Sequence, residues 1–388
     1  MRGALRGHRW WLAAASLGLA LAACSGQVLA PGSDGNGSPA GGGPGGGPGS
    51  NGMDGGTDAG AGPDAGSDAG TGPRDGGAPS DGGTADRFPG TSVFYQDVSS
   101  AALDPASAQV IAHLADAGWG TGAMQIDFSI AILHADGSVQ PRAFTPAPGY
   151  YSPDCDSAPV PIPPGGHAEG SSSYACNTAQ NDCHVLVYQG DRLYELYNAN
   201  ISGGQANGSP FTTLCAVVWD LTRDYWQPGT PFSRGDQCTS ADAAGLPIAP
   251  LLVIGAELQA GVVPHALRFI LPNPRMAAGV FVHPATHAGS PSGDPLYPPY
   301  GARFRLRSSF DLSRLPNAAA RAVAVALQTY GMFLADGGNV PLTMDASAAA
   351  SIGSHDLAAL QVGDFEMVAP PGPAISLTDA CTRTPVAQ

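Results

Sequence analysis

The sequence predicts a mainly β, disulfide-bonded globular domain, a sandwich or jelly-roll-like fold with one or two packed helices. Short apolar segments of strand-like composition recur between turn signals over most of the second half of the chain. One long stretch has convincing helical periodicity, and strands do not alternate with helices as they do in βαβ units. Besides one cysteine near the N-terminus, six remain, and an even number is typical of exported domains with disulfides.

The N-terminus has the pattern of an export leader. Residues 1–23 carry arginines ahead of an apolar core over residues 10–23, which is too short to remain as a membrane-spanning helix. The core ends in LAAC at residues 21–24, which resembles a bacterial lipobox. The resemblance implies cleavage before Cys24 and lipid on that cysteine, so that the protein is anchored but does not span the membrane. Ser25 after the cysteine favours the outer membrane, facing the cell surface of a Gram-negative bacterium.

A tether is predicted between the lipid anchor and the globular part. Residues 25–86 contain 23 of the 54 glycines and almost no apolar side chains. Such a composition cannot offset the entropy of ordering, so we expect a disordered spacer after the lipidated Cys24. The mainly β ectodomain is then residues 87–388.

The charge balance narrows the classes of partner. The chain has 17 basic and 32 acidic residues and a formal net charge of −15, and every basic residue is Arg. A chain this acidic offers no basic stripe for nucleic acid, which we exclude as a partner. We expect contact with the membrane only through the lipid, and we expect a monomer.

The first half of the ectodomain is predicted to contain one short helix and several strands. Asp104-Pro105 provides a cap and a first-turn proline for the helix. Residues 125–133 alternate as a strand, residues 184–188 and 192–197 form a hairpin, and residues 214–221 give a further strand.

The second half is organised around residues 238–289, where three strands are predicted at residues 246–254, 266–271 and 279–283. Residues 303–309 alternate Arg with apolar residues, which indicates a half-exposed strand. Residues 316–336 have the pattern of an amphipathic helix, ended by Gly337-Gly338.

Five phrases, in order along the chain, carry a wider resemblance. They are TSADAAGLPI, HALRFILP, VHPATHAG, YGARFRL and LQTYGMFLADGG. With these phrases, residues 90–368 resemble a family of exported bacterial proteins that has no established activity. The resemblance implies kinship and export, and it supplies no catalytic residue.

Acidic residues are the first candidates for chemistry, because glycoside hydrolysis uses two carboxyl groups. Those outside the obvious surface loops are Asp127, Glu169, Glu195, Asp220, Asp242 and Glu257. Asp242 lies in a turn with small neighbours that would let a ligand approach, although the same residues could cap a turn. Glu195 fits either a groove wall or an exposed strand face. We take both as candidate catalytic residues.

Histidines and aromatic residues are the second group of candidates. His265 with Arg268 and Tyr300 would suit a lyase that abstracts the proton next to a uronate carboxyl, although a packing role for His265 is common. His283 and His287 could line a rim, but Pro284 argues against a helical zinc motif. We expect no metal and no cofactor. Trp219 is a candidate for stacking on a sugar, and a core role is at least as common.

These observations lead to one functional hypothesis and two alternatives. No G-x-S-x-G, S-x-x-K, H-E-x-x-H, P-loop or dinucleotide motif is present in the sequence. We therefore expect a carbohydrate-active ectodomain that hydrolyses a polysaccharide or cell-surface glycan with paired carboxylates. The alternatives are a non-catalytic binding or structural module and a polysaccharide lyase.

Overall fold

A computed structural model of the chain describes residues 86–226, 234–378 and 380–386. The leader, Cys24 and the tether up to residue 85 lie outside the described residues. The helices are α1 (Ser107–Ala117), α2 (Gly255–Ala260) and α3 (Ala318–Thr329). The strands are β1 (Ile126–Ile130), β2 (Ile132–His134), β3 (Thr145–Pro146), β4 (Val185–Gln189), β5 (Arg192–Tyr197), β6 (Asn200–Ile201), β7 (Phe211–Thr213), β8 (Cys215–Asp220), β9 (Leu267–Leu271), β10 (Val280–Phe281), β11 (Arg303–Leu306), β12 (Met332–Gly337), β13 (Leu342–Asp345), β14 (Phe365–Val368) and β15 (Ile375–Ser376).

Two larger sheets dominate the architecture. A six-stranded mixed sheet has the order β1-β13-β9-β12-β11-β14, with parallel pairs at β1/β13 and β9/β12. A four-stranded sheet has the order β2-β4-β5-β8, with β2 and β4 parallel. Two smaller sheets, β3-β7-β6 and β10-β15, complete the described part. The mainly β class with packed helices is therefore confirmed.

The two larger sheets meet along a seam, because β1 in one and β2 in the other are separated by a single residue. The backbone N–H of Ile132, the first residue of β2, donates to Asp345 Oδ2 at the end of β13 (2.7 Å). This hydrogen bond ties the edge of the four-stranded sheet to the six-stranded sheet. Residues on both sides of this seam line the cavities described below.

The six ectodomain cysteines form three disulfides, as predicted. The pairs are Cys155–Cys215, Cys176–Cys183 and Cys238–Cys381. Disulfides form in oxidising compartments, which indicates an extracytoplasmic protein. Among the described residues, no helix combines the length and the apolar character that a membrane span requires.

The predicted helix over residues 316–336 is wrong in its second half. Helix α3 ends at Thr329, and residues 332–337 form strand β12 between β9 and β11. Gly331 has φ +68°, a left-handed conformation that stops a helix and that glycine adopts without strain. The apolar side chains after it continue into the sheet, so Asp336 lies on a strand.

The strand predicted at residues 246–254 is also wrong. The segment forms a 3₁₀ turn at Ala249–Leu251 and leads into α2. Pro247 and Pro250 lack the N–H groups that a strand interior needs. The free N–H groups of Ile248 and Ala249 donate to a side chain, described below, instead of to a strand.

The half-exposed strand predicted at residues 303–309 is shorter and buried. Strand β11 lies between β12 and β14, and all four of its residues are buried. Arg303 donates to the carbonyl oxygens of Tyr330 and Gln96, and Arg305 pairs with Glu366. Arginines therefore alternate here because they find partners inside the domain.

Candidate functional site

A narrow polar cleft opens in the seam between the two larger sheets. Its lining includes Arg268 from β9, Asp336 from β12, Glu169, and His184 just before β4. The parallel pairing of β9 with β12 places Arg268 and Asp336 on adjacent strands. The cleft has a volume of about 50 Å³, which is enough for a few water molecules or one functional group of a larger molecule.

Glu169 and His184 form an ion pair in this cleft. His184 Nδ1 lies 2.6 Å from Glu169 Oε2, and His184 Nε2 lies 3.0 Å from the carbonyl oxygen of Ala241. Both nitrogens therefore face acceptors, which requires a proton on each. Burial favours the neutral ring, but the charge and hydrogen bond of Glu169, together with the charges of Asp182 and Asp336, outweigh it and raise the pKa of His184 to about 9. Burial would likewise raise the pKa of Glu169, but His184 brings it below the usual value. Glu169 is thus ionised and His184 is cationic.

A serine hydroxyl connects Glu169 to a second carboxyl group. Ser129 Oγ lies 2.6 Å from Asp127 Oδ2 and 3.1 Å from Glu169 Oε1. Two oxygens that share one hydroxyl lie within about 6 Å of each other. Burial, together with the Glu169 charge, raises the pKa of Asp127. Because the hydroxyl has a single proton, both contacts are satisfied when Asp127 is protonated and Ser129 donates to Glu169.

Two further carboxyl groups flank Arg268. Its Nη2 lies 2.7 Å from Asp242 Oδ2 and 3.6 Å from Asp336 Oδ2. Burial and the charge of Asp242 raise the pKa of Asp336 to about 6, and the two acids titrate as a pair. Asp242 has the shorter contact with Arg268 and also accepts from the N–H of Ala244 (3.1 Å). Fewer contacts stabilise the charged form of Asp336, which accepts from the N–H of Gly337 and is the member of the pair that lines the cleft.

Asp182 supplies the fourth carboxyl group of the cleft lining, beside Asp127, Glu169 and Asp336. Burial raises the pKa of Asp182 to about 6, although the charge of His184 opposes that rise. Acids with raised pKa values therefore face an ionised acid, Glu169, across one small space. Such divergent pairs are found where carboxyl groups divide the roles of acid and base.

Two residues that the sequence suggested for different roles, Asp242 and Arg268, form an ion pair at this cleft. Arg268 lines it, whereas Asp242 lies behind Arg268 and is fully buried. Asp242 also closes a turn through Ala244, so the capping role considered from the sequence applies as well. We therefore assign Asp242 the role of orienting Arg268.

Glu195 and Trp219 lie in the core, away from the cleft. Glu195 is fully buried and is not on an exposed strand face. Its Oε2 accepts from Trp219 Nε1 (2.9 Å), and its Oε1 accepts from the N–H groups of Ile248 and Ala249 (2.8 Å each). Trp219 is fully buried too, and its ring packs among other aromatic rings. These contacts tie the four-stranded sheet to the 3₁₀ turn.

The other predicted site residues are dispersed. His265 bonds to Glu257 (3.2 Å) and lines a different cavity from Arg268, so the residues suggested for a lyase do not converge. His283 pairs with Asp236 (2.9 Å), whereas His287 contacts the backbone of Ala243 (3.0 Å). Tyr300 is buried beside β10.

The aromatic residues do not form a flat surface platform. Trp119, Trp219, Tyr225, Trp226 and Tyr300 are all buried. In the described ranges, every other Phe, Tyr and Trp side chain is at least partly buried. A binding module that stacks extended glycans on exposed rings is therefore poorly supported by these residues.

Among the described residues, three potential metal ligands come close together at one place, Asp154 with Cys238 and Cys381. The two cysteines are joined in a disulfide, so neither offers a thiolate. We assign no metal to this group.

Sequence reasoning included Asp127 and Glu169 among its acids but did not select Asp182 or Asp336. Asp336 was not selected because the sequence predicted a helix through Gly331, whereas Asp336 lies on strand β12. Asp182 lies in the loop closed by Cys176–Cys183, seven residues apart, which is also held by the N–H of Asn198 donating to the Asp182 carbonyl oxygen (2.7 Å).

Comparison with known proteins does not assign the chain to a group. No protein-family model, no curated protein and no solved structure matches it. The functional argument therefore depends on the cleft itself.

Proposed function

We propose that the protein is an exported glycoside hydrolase in which Asp336 is the general acid and Glu169 is its ionised partner. The observation that carries this proposal is the opposed pKa directions of carboxyl groups that line one cleft. Hydrolysis of a glycosidic bond needs one carboxyl to protonate the leaving oxygen and another to attack or to activate water. The raised pKa of Asp336 and the lowered pKa of Glu169 suit these two roles.

The neighbouring cations suit the proposed roles. Arg268 stabilises the carboxylate that Asp336 becomes once its proton has moved to the leaving oxygen. His184 keeps Glu169 ionised and fixes its orientation through a 2.6 Å hydrogen bond. Both cations are already paired with acids, so they are positioning groups in this scheme.

The size and charge of the cleft favour a particular substrate pose. Because the cleft holds about 50 Å³, only the glycosidic oxygen and one or two waters would enter it. The sugar rings would lie across its mouth. Both cations of the lining already pair with acids, His184 with Glu169 and Arg268 with Asp242, so neither is left to neutralise a uronate and a neutral glycan is preferred to a polyuronate. This favours hydrolysis over the lyase alternative.

The LAAC sequence supports a location for this activity. If Cys24 is lipidated, the glycine-rich tether would hold the hydrolase at the cell envelope, on the outer membrane, with access to extracellular glycans. A monomer without a bound cofactor is sufficient for the proposed chemistry.

The proposal is tested with the purified, oxidised protein on neutral and anionic polysaccharides, with new reducing ends as the readout. We expect activity on a neutral glycan, with Asp336→Asn and Glu169→Gln each lowering kcat at least about 100-fold. Activity should decline above about pH 6 as Asp336 loses its proton. The matched control, Asp116→Asn on the exposed face of α1, should retain full activity.

Three results would contradict the proposal. Wild-type activity in both cleft variants would move the site elsewhere. Unsaturated uronate products would make the protein a lyase. Retention of a polymer in a gel without any product would leave a binding module.

A further inference from the structure

A second and larger cavity lies further along the same seam. Ile130 of β1 and Thr343 of β13 line the cleft, whereas Ile132 of β2 and Asp345 of β13 line this cavity. Residues two apart on a strand share a face and lie about 7 Å apart. The cavity has a volume of about 250 Å³, near the lower end of the roughly 300–1,000 Å³ range of small-molecule sites. That volume fits a single-ring molecule better than an oligosaccharide.

The interior of this cavity has an apolar wall. Ile132, Leu252, Ile254 and the ring of Tyr188 contribute to it. The Tyr188 ring stacks on the ring of His134, with centroids 5.6 Å apart and an interplanar angle of 22°. A flat aromatic face beside aliphatic side chains suits the apolar face of a sugar ring.

A hydroxyl group in the cavity has unused hydrogen-bonding capacity. Tyr188 is 4% exposed and lines the cavity, and its hydroxyl makes no hydrogen bond with any residue in the described ranges. The hydroxyl is not one of the fully enclosed unpaired groups, so a molecule in the cavity can reach it. Burial raises the pKa of Tyr188 well above its usual value, so the hydroxyl keeps its proton and can donate.

The charged groups of the lining largely neutralise one another. Arg87 pairs with Glu257 (2.6 Å), and His134 pairs with Asp86 (2.9 Å) at the exposed mouth. Asp345 accepts from the N–H of Ile132 (2.7 Å) and from the N–H (2.9 Å) and the hydroxyl of Ser347, and no cation in the described ranges forms an ion pair with it. His265, which also lines the cavity, pairs with Glu257 (3.2 Å). The basic residues of the lining are therefore already paired, whereas Asp345, with three of its four acceptor positions used, keeps one for a hydroxyl donor.

We propose that this cavity binds one neutral monosaccharide ring. The ring packs against Ile132, Ile254 and Tyr188, and its hydroxyl groups bond to the Tyr188 hydroxyl and to Asp345. The site differs from the hydrolytic cleft in its lining residues, and it does not depend on that cleft being catalytic.

Isothermal titration calorimetry of the full-length oxidised protein tests the proposal. The probes are glucose, galactose, mannose and N-acetylglucosamine, with glucuronate as the anionic comparison. We expect saturable binding of at least one neutral sugar and weaker binding of glucuronate. Tyr188→Phe should weaken binding about 5-fold without lowering the unfolding midpoint, because the lost hydroxyl has no protein partner. Ile254→Trp, which fills the cavity, should abolish binding.

Two control variants distinguish sugar binding in this cavity from binding elsewhere on the protein. Tyr194→Phe, on the neighbouring strand β5 and outside both cavities, should bind like the wild type. Asp336→Asn should also retain sugar binding even if it abolishes hydrolysis, so that the two proposals can fail separately. The inference is overturned if none of the four neutral sugars binds, if glucuronate binds more tightly, or if both Tyr188→Phe and Ile254→Trp bind normally.

Discussion

Glu195 and the acids of the cleft are both buried, but their surroundings differ. Three N–H donors reach the carboxylate of Glu195, from Trp219, Ile248 and Ala249, and Glu195 lines neither the cleft nor the second cavity. Asp336 accepts from one N–H, that of Gly337, and faces the cleft with 14% of its side chain exposed. The hydrogen-bonding capacity of Glu195 is used within the fold, whereas Asp336 can still form hydrogen bonds with a substrate.

The direction of a pKa shift does not separate these two regions. Burial raises the pKa of Glu195, as it does for Asp336. Glu195 and Asp336 differ in two other respects, namely whether the carboxyl group faces a cleft and how many N–H donors of the protein already bond to it. A buried carboxyl is a candidate for catalysis when it combines a raised pKa with an open face and few internal donors.

The largest expected effect on stability is at Glu195. Glu195→Ala would leave the indole N–H and two backbone N–H groups buried without an acceptor. We expect the free energy of unfolding to fall by about 3–5 kcal/mol in urea denaturation. Glu195→Gln keeps one oxygen acceptor, so its free energy of unfolding should fall by less than that of Glu195→Ala. A loss below about 1 kcal/mol for Glu195→Ala would show that this carboxylate does not tie the turn to the sheet.

A smaller effect is expected from pH at the cleft. His184 has its pKa raised from 6.5 to about 9 in the folded protein, so the folded state holds this proton more tightly than the unfolded state. The stabilisation is fully present below pH 6.5 and is lost as the pH rises towards 9. The shift corresponds to about 3 kcal/mol.

Urea denaturation across pH 6 to pH 10 measures this loss. In His184→Asn this pH-dependent decrease in the free energy of unfolding should be absent. In His355→Asn, at an exposed site, it should be the same as in the wild type. An unfolding free energy that stays constant from pH 6.5 to pH 9 would contradict the ion pair with Glu169.

Local sequence pattern was sufficient where an element depends on its own residues. The hairpin of β4 and β5 was predicted from period-2 alternation around a QGD turn, and it is present. Three disulfides were predicted from the number of cysteines, but their pairing was not. The partners of Glu195 lie 53 and 54 residues away, and no local pattern shows that an acid in a strand will meet them.

The acids of the cleft were only partly predictable for the same reason. Glu169 and His184 are 15 residues apart and are joined by a backbone hydrogen bond from the Glu169 N–H to the His184 carbonyl oxygen (2.9 Å), across a loop that Cys176–Cys183 closes. To place Asp336 correctly, the residues after Gly331 have to be recognised as a strand. Their apolar run fits the helical period of 3.6 residues as well as the strand period of two. Four chain segments therefore have to be positioned before the cleft exists.

Side-chain carboxyl titration by ¹³C NMR tests the central claim most directly, because it needs no substrate. The signals of Asp336 and Glu169 are assigned by their absence in Asp336→Asn and Glu169→Gln. We predict that Asp336 titrates near pH 6, together with Asp242, and that Glu169 titrates below its usual pKa. If both groups titrate at the values typical of exposed carboxyls, the cleft does not separate an acid from a base and the proposed mechanism is wrong.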